Sequence, residues 1–226
     1  MLRFLYQPLS SYWWNVRIAL GEWQIPHIAT PVDLADAEAV ARFRELSPLG
    51  TFPVMEDVAT GFAMYEANQM LDYIQHRWSP DAPLLSDDPE LDREIRFRDR
   101  FFEAYLHVPL IRLVSAGPLG DGAAGAVRAS MTLALAAAYD VLERDLQGRE
   151  WAAGASFSLA DCCALPLLTF ASAHQPIGES RPVLDGYLTR LRARPSVRAL
   201  FEQVRPVLRH YPGTEEERSR LIEAAS

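Results

Sequence analysis

Ser47-Pro48-Leu49-Gly50-Thr51-Phe52-Pro53-Val54-Met55-Glu56, followed past a turn at Gly61 by Phe62-Ala63-Met64, is the stretch on which the fold turns. Ser-Pro-Leu-Gly has the composition of a turn, and the two runs behind it are short and rich in β-formers, so they predict a hairpin. Toward the N-terminus, Leu2 to Tyr6 predicts a strand that Pro8 ends. Trp13, Val16, Leu20 and Trp23 then recur at helical spacing and predict a helix with one apolar stripe, fraying at Gly21 and Pro26. His27 to Val32 predicts a second strand, and Glu38 to Leu46 a short helix. Beyond the hairpin, Met70, Leu71, Ile74 and Trp78 give the apolar face of a helix from Glu66 to Trp78.

The order over residues 1–78 is therefore βαβαββα, the α/β order of a thioredoxin-like domain. Residues 79–89 hold three prolines, two serines and several aspartates, a composition that interrupts periodicity and predicts a linker. From 90 to 226 the signals are helical: Glu90 to Leu113, Gly122 to Leu146, Leu159 to Ala173, Val183 to Ala193 and Ser196 to Val207. They predict an all-α helical-bundle C-terminal domain. Ser158-Leu159-Ala160-Asp161 reads as a capping box at a helix start. Pro166, inside that helix, removes the partner of the Cys162 carbonyl and predicts a kink. The polar tail after Pro212 is expected to be mobile.

Composition narrows the function. With 49% hydrophobic and 23% charged residues the chain is an ordinary globular one. Its 22 basic against 30 acidic side chains leave a net charge of -8, without the basic footprint that a nucleic-acid partner requires. The N-terminus runs directly into strand-like residues, and no apolar run reaches the roughly 18 residues of a membrane span. A soluble, cytoplasmic protein is expected, with no membrane partner. Cys162 and Cys163 are adjacent in an apolar helical pattern, where a mutual bridge would be strained, so they read as small core residues. No His, Cys, Asp and Glu cluster has metal-ligand spacing, so no metal is expected, and no glycine loop suits a phosphate.

Four segments, taken together and in order, resemble the glutathione transferase family over nearly the whole chain. They are Tyr6-Gln7-Pro8-Leu9-Ser10 leading to Asn15-Val16-Arg17-Ile18-Ala19-Leu20; Ser47 to Val54; Glu66-Ala67 opening a helix; and Phe157-Ser158-Leu159-Ala160-Asp161. Similarity to the serine-type classes places the catalytic hydroxyl at Ser10, with Ser11 the near alternative. Glutathione's thiol, with a pKa near 8.5, must react as thiolate, and a hydroxyl donor at a helix start favours the anion. Serines after a proline turn are also common helix N-caps, which need no substrate. The absence of cysteine at this turn disfavours glutaredoxin-like chemistry.

The resemblance also implies that Phe52-Pro53 is the family's cis-proline turn, whose backbone pairs with the cysteinyl backbone of glutathione. Glu66 and the amide of Ala67 are implied at the γ-glutamyl group, at a helix N-terminus. Two positions depart from the pattern: Ala67 stands where the family usually has serine, and Thr51 where it often has a basic residue. Each lost contact costs roughly 1 to 3 kcal/mol. Tyr12, Phe101 and Tyr105 are the expected acceptor pocket, although such aromatics equally well pack between domains. Arg17 is expected in a structural ion pair, and His107 as a packing residue.

The implied activity is a glutathione S-transferase, with glutathione as co-substrate attacking a small apolar electrophile, in a homodimer. Two alternatives stand beside it. One is a glutathione-dependent isomerase, since Ser10-Ser11 and Val16 to Leu20 look like the zeta class that isomerises maleylacetoacetate, which has cysteine where this chain has Tyr12. The other is a non-catalytic binding module of the same fold, for which Thr51 and Ala67 argue.

Overall fold

The structure, a computed structural model, describes residues 1–78, 81–116 and 121–226. The chain divides into two compact units, Met1–Leu85 and Ser86–Ser226. Ser79 and Pro80, the first residues of the expected linker, lie outside the described residues.

In the first unit, β1 (Leu2–Tyr6) alternates: Leu2, Phe4 and Tyr6 are buried and Arg3 is exposed, the period of two that a half-buried strand demands. The strands β2 (His27–Pro31), β3 (Val54–Asp57) and β4 (Phe62–Met64) complete a four-stranded sheet in the order β2-β1-β3-β4. β2 lies parallel to β1 with Leu2 opposite His27, while β3 is antiparallel to β1 with Leu5 opposite Val54. Helices α1 (Ser11–Glu22), α2 (Ala37–Leu46) and α3 (Ala67–Trp78) supply the rest of the βαβαββα unit. The one apolar stripe expected of α1 understates its burial: Trp13, Trp14, Asn15, Val16, Ile18, Ala19 and Leu20 are all buried. Gly50 closes the turn before β3 at φ 72°, a left-handed conformation that favours glycine.

The second unit is helical: α4 (Pro89–Phe102), a π-helical turn (Glu103–His107), α5 (Val108–Ser115), α6 (Asp121–Asp145), α7 (Leu159–His174), α8 (Pro182–Arg192), α9 (Pro195–Leu208) and α10 (Glu215–Ala224). The single helix predicted from Glu90 to Leu113 is thus interrupted. Pro109 lacks the N–H that the Tyr105 carbonyl would accept in a regular helix, and the wide turn falls where that bond is missing. The tail expected to be mobile contains α10 instead. Thr214 and Glu217 cap it reciprocally, and Leu221 is buried. Inside α7, Asp161 is fully buried and accepts from the Ser158 amide (2.9 Å), the Ser158 hydroxyl (2.8 Å), the Ala152 amide (2.8 Å) and the Tyr187 hydroxyl (2.7 Å). This carboxylate joins the start of α7 to the preceding loop and to α8.

Cys162 and Cys163 are buried free thiols, and burial pushes that of Cys163 well up. All 22 basic side chains of the chain are arginine.

Candidate active site

The sequence makes α1 begin where it does because Ser10 has extended backbone and an oxygen able to close the first turn. The Ser10 hydroxyl oxygen accepts from the Trp13 amide at 3.3 Å, which makes it the N-cap. The same hydroxyl donates to the Phe52 carbonyl at 3.4 Å. Capping uses a lone pair and leaves the O–H to point elsewhere, so the two readings of Ser10 do not compete. The bond to Phe52 is long for an O–H donor and correspondingly weak. Ser11 is the first residue of the helix, one position further on, and both serines are half-buried.

Phe52 is held by its ring. It stacks on Phe43 of α2 at 4.0 Å between centroids and 9° between planes, beside the cluster of Val32, Phe43 and Val54. The Phe52-Pro53 peptide is cis, and Pro53 is buried. The turn before it is pinned by buried Ser47, whose hydroxyl donates to the Thr51 carbonyl and accepts from the Thr51 amide, both at 3.0 Å. The Thr51 hydroxyl donates to the Tyr65 carbonyl at 3.3 Å. Thr51 therefore ties the hairpin to the residue that precedes Glu66.

At the start of α3 the Glu66 carbonyl accepts from the Met70 amide at 2.9 Å, which places Glu66 at the N-cap position with its side chain exposed; Ala67 is buried. The structure thus brings Ser10 against Phe52 and links Thr51 to the neighbour of Glu66. Reading the sequence missed Asn15 and Asn68. Asn15 lies buried in α1 and donates from Nδ2 to Oδ1 of Asn68, the second residue of α3, at 3.0 Å.

The remaining candidates divide between the units. Tyr12 is half-buried in α1, and Trp13, fully buried, stacks on Tyr6 at 4.3 Å. In the helical unit Phe101 packs on Tyr105 at 4.9 Å between centroids, and Tyr105 is exposed. Arg17 is half-buried, and among the described residues no ion pair is recorded for it, contrary to expectation; burial lowers its pKa, with Tyr6 acting the other way. His107 ends the π-helical turn, and burial lowers its pKa. Among the described residues no three His, Cys, Asp or Glu side chains are gathered as for a metal. A cavity of about 700 Å³ in the helical unit, lined among others by Leu113, Arg128, His174 and Glu217, contains none of the expected site residues.

Comparison with known proteins adds the following. Residues 9–77 match the glutathione S-transferase N-terminal domain, and residues 128–195 the glutathione S-transferase C-terminal domain. A protein named probable maleylacetoacetate isomerase from Caenorhabditis elegans is 34% identical over 86 residues, 36% of this chain and 39% of that protein. A glutathione S-transferase-like protein from a Fusarium species is 30% identical over 135 residues, 58% of this chain and 60% of that one. In both pairs the match spans less than two thirds of the relative's length. The crystal structure of a glutathione S-transferase from Methylobacillus flagellatus, with glutathione bound, superposes with a TM-score of 0.78 at 24% identity, over 88% of this chain and 98% of that one.

Proposed function

We propose that this chain, which belongs to the glutathione S-transferase family, binds glutathione in its first unit and activates the thiol for attack on a small apolar electrophile. The observation that carries the reading is the Ser10 hydroxyl, held at the N-cap of α1 within 3.4 Å of the Phe52 carbonyl. A cysteinyl backbone paired with Phe52 sets its sulfur beside Ser10. The hydroxyl then exchanges its long bond to the carbonyl for a charge-assisted bond to the thiolate, and the thiol proton leaves to solvent. Lowering the thiol pKa by about two units requires about 2.7 kcal/mol of preference for the anion, which that bond and the start of α1 together supply. The thiolate sulfur then bonds to the electrophilic carbon, and the leaving group departs with its electron pair or a proton is taken up.

A second reading is favoured by the Ser10-Ser11 pair and by the likeness to the worm protein: the thiolate adds to a carbon–carbon double bond, the bond rotates, and the thiolate leaves again, isomerising the substrate with no net consumption of glutathione. A binding module with little affinity for glutathione is the alternative that Thr51 and Ala67 support. Two free adjacent thiols support a reducing, cytoplasmic setting, and among the described residues no helix is long and apolar enough to cross a membrane. A homodimer is also proposed.

The test is calorimetric titration of glutathione, with thiolate absorbance near 240 nm followed against pH. Micromolar to low-millimolar binding, with a thiolate signal below pH 7.5, is expected for the wild type. Ser10→Gly costs only a few tenths of a kcal/mol as a cap, so loss of the thiolate signal in that variant at near-native stability isolates the chemical role. No binding at 10 mM overturns the glutathione reading.

A further inference from the structure

Arg192 is the last residue of α8, and the fold makes no polar use of it. The arginines around it are employed. Arg190 donates to the Glu150 carbonyl at 3.2 Å, Arg205 of α9 donates to the Ala225 carbonyl from Nε at 3.1 Å and from NH2 at 2.5 Å, and Arg220 of α10 donates to the Ala173 carbonyl at 2.7 Å. Among the described residues no hydrogen bond or ion pair is recorded for Arg192, although it is half-buried and its Nε is buried without an acceptor. Asp185, two turns back on α8, acts on it only at a distance. Burying part of a guanidinium with no acceptor costs stability, and a methionine would fill the same space without that cost.

Arg192 lines a cavity of about 430 Å³ whose walls come from α8, α9 and the end of α10. Arg198 and Arg205 of α9 line it too, and Thr189 of α8 adds a hydroxyl donor. The Arg198 side chain likewise has no partner among the described residues, and it lies near the start of α9, where the helix dipole disfavours a cation. Arg205 spends Nε and NH2 on Ala225 and keeps NH1. Two exposed carboxylates, Glu202 and Glu223, share the wall, and neither is recorded in an ion pair with any of the three arginines. Among these side chains cations outnumber carboxylates, in a chain whose net charge is -8.

We propose that this cavity is a binding site for a single phosphoryl group, that of free phosphate or of a small phosphate monoester, with Arg192 as its anchor. The inference is independent of the glutathione reading. A guanidinium offers parallel N–H bonds to a pair of oxygens; a phosphate has oxygens enough for Arg192, Arg198 and Arg205 together, whereas the two oxygens of a carboxylate are filled by one fork. Arg192 Nε gains the acceptor it lacks, and the Thr189 hydroxyl supplies a further donor. Glu202 and Glu223 oppose any second negative group beside the first, so that a polyphosphate is rejected. A phosphate held there ties the end of α8 to α9 and to the end of α10.

The experiment titrates inorganic phosphate into the intact chain by calorimetry at fixed ionic strength and follows Tm in parallel. The wild type is expected to bind with Kd of about 1 mM or tighter and to gain Tm as phosphate rises. Arg192→Met is expected to weaken phosphate at least about 10-fold, and Arg198→Gln and Arg205→Gln about 3- to 10-fold each. Arg209→Gln, exposed at the end of α9 and outside the cavity, leaves the affinity unchanged. Without phosphate, Arg192→Met is expected to melt no lower than the wild type, because it gives up no bond within the fold; a lower Tm marks a structural arginine and overturns the proposal. Phenyl phosphate distinguishes the two sources: tighter binding than inorganic phosphate assigns the site to a monoester, weaker binding to the free ion. No phosphate binding by the wild type at about 10 mM, equal binding by Arg192→Met, or acetate or pyrophosphate binding as tightly as phosphate overturns it as well.

Discussion

Asp99 of α4 shows how one buried side chain sets a pH response. Burial first, and then the Glu103 carboxylate, push its carboxyl up to about 7, against the pull of the Cys163 thiol, Arg96 and Arg100. An unfolded aspartate titrates near 3.9. Between about pH 4 and pH 7 the folded chain therefore holds a proton that the unfolded chain has released, and stability falls as pH rises through that window. Asp99→Asn is expected to match the wild type near pH 4 and to exceed it at pH 8 by up to roughly 4 kcal/mol, read from urea unfolding at the two pH values. Equal stabilities at pH 8 contradict the assignment. At this scale legibility was uneven. Ser10 was legible as a cap because capping chemistry and a place before an apolar helix are local signals, whereas a catalytic role for it was implied only by the family resemblance. Asn15 could not: a polar residue in an apolar run means nothing until its partner, 53 residues on, is located by the fold.

Elements were legible wherever burial imposed a period. The seven N-terminal segments read as strands or helices became β1 to β4 and α1 to α3. α10 escaped because its first six residues, Glu215 to Arg220, are all polar, and the buried line along it runs from a carboxylate, Glu217, to Leu221. The signal that would have found it is Thr214-x-x-Glu217, a capping box read from four residues. The same kind of signal was read at α7, where the structure adds what the spacing could not: Asp161 also accepts from Ala152 and Tyr187. Asp161→Ala leaves these buried donors without an acceptor and is expected to cost at least roughly 3 kcal/mol, whereas Tyr187→Phe removes one donor and costs about 1 kcal/mol. Denaturant midpoints of the two variants check both the size and the order. A Tyr187→Phe loss as large as that of Asp161→Ala would mean that the carboxylate's other three bonds contribute little.

For the whole molecule, fold class followed from the change in periodicity along the chain, from strands interleaved with helices to helices alone, and both domain types match the known family. Quaternary structure has no such pattern in a single sequence, because an apolar residue facing a partner and one facing the core look alike. The structure shows which apolar side chains are left exposed. Phe97, Tyr105, Val108 and Ile111, spaced along α4, the π-helical turn and α5, are 53%, 58%, 49% and 50% exposed. Such a row on a surface suits association with a second copy. Light scattering is expected to give twice the chain mass for the wild type and the single mass for Val108→Glu or Ile111→Glu. A monomeric wild type rules the dimer out.

The choice of cation and the depth of the two thiols have one more consequence. Enzymes that handle electrophiles risk being alkylated by them, at lysine amines and cysteine thiolates first. This sequence carries no lysine, and guanidinium is a poor nucleophile; Cys162 and Cys163 are buried, with the Cys163 thiol held in its unreactive neutral form. A reactive molecule that misses the bound glutathione finds neither an amine nor a thiolate on the side chains of its handler. The fold offers its own proposed substrates neither a lysine nor an exposed cysteine, and incubation with one is expected to leave the intact mass of the protein unchanged.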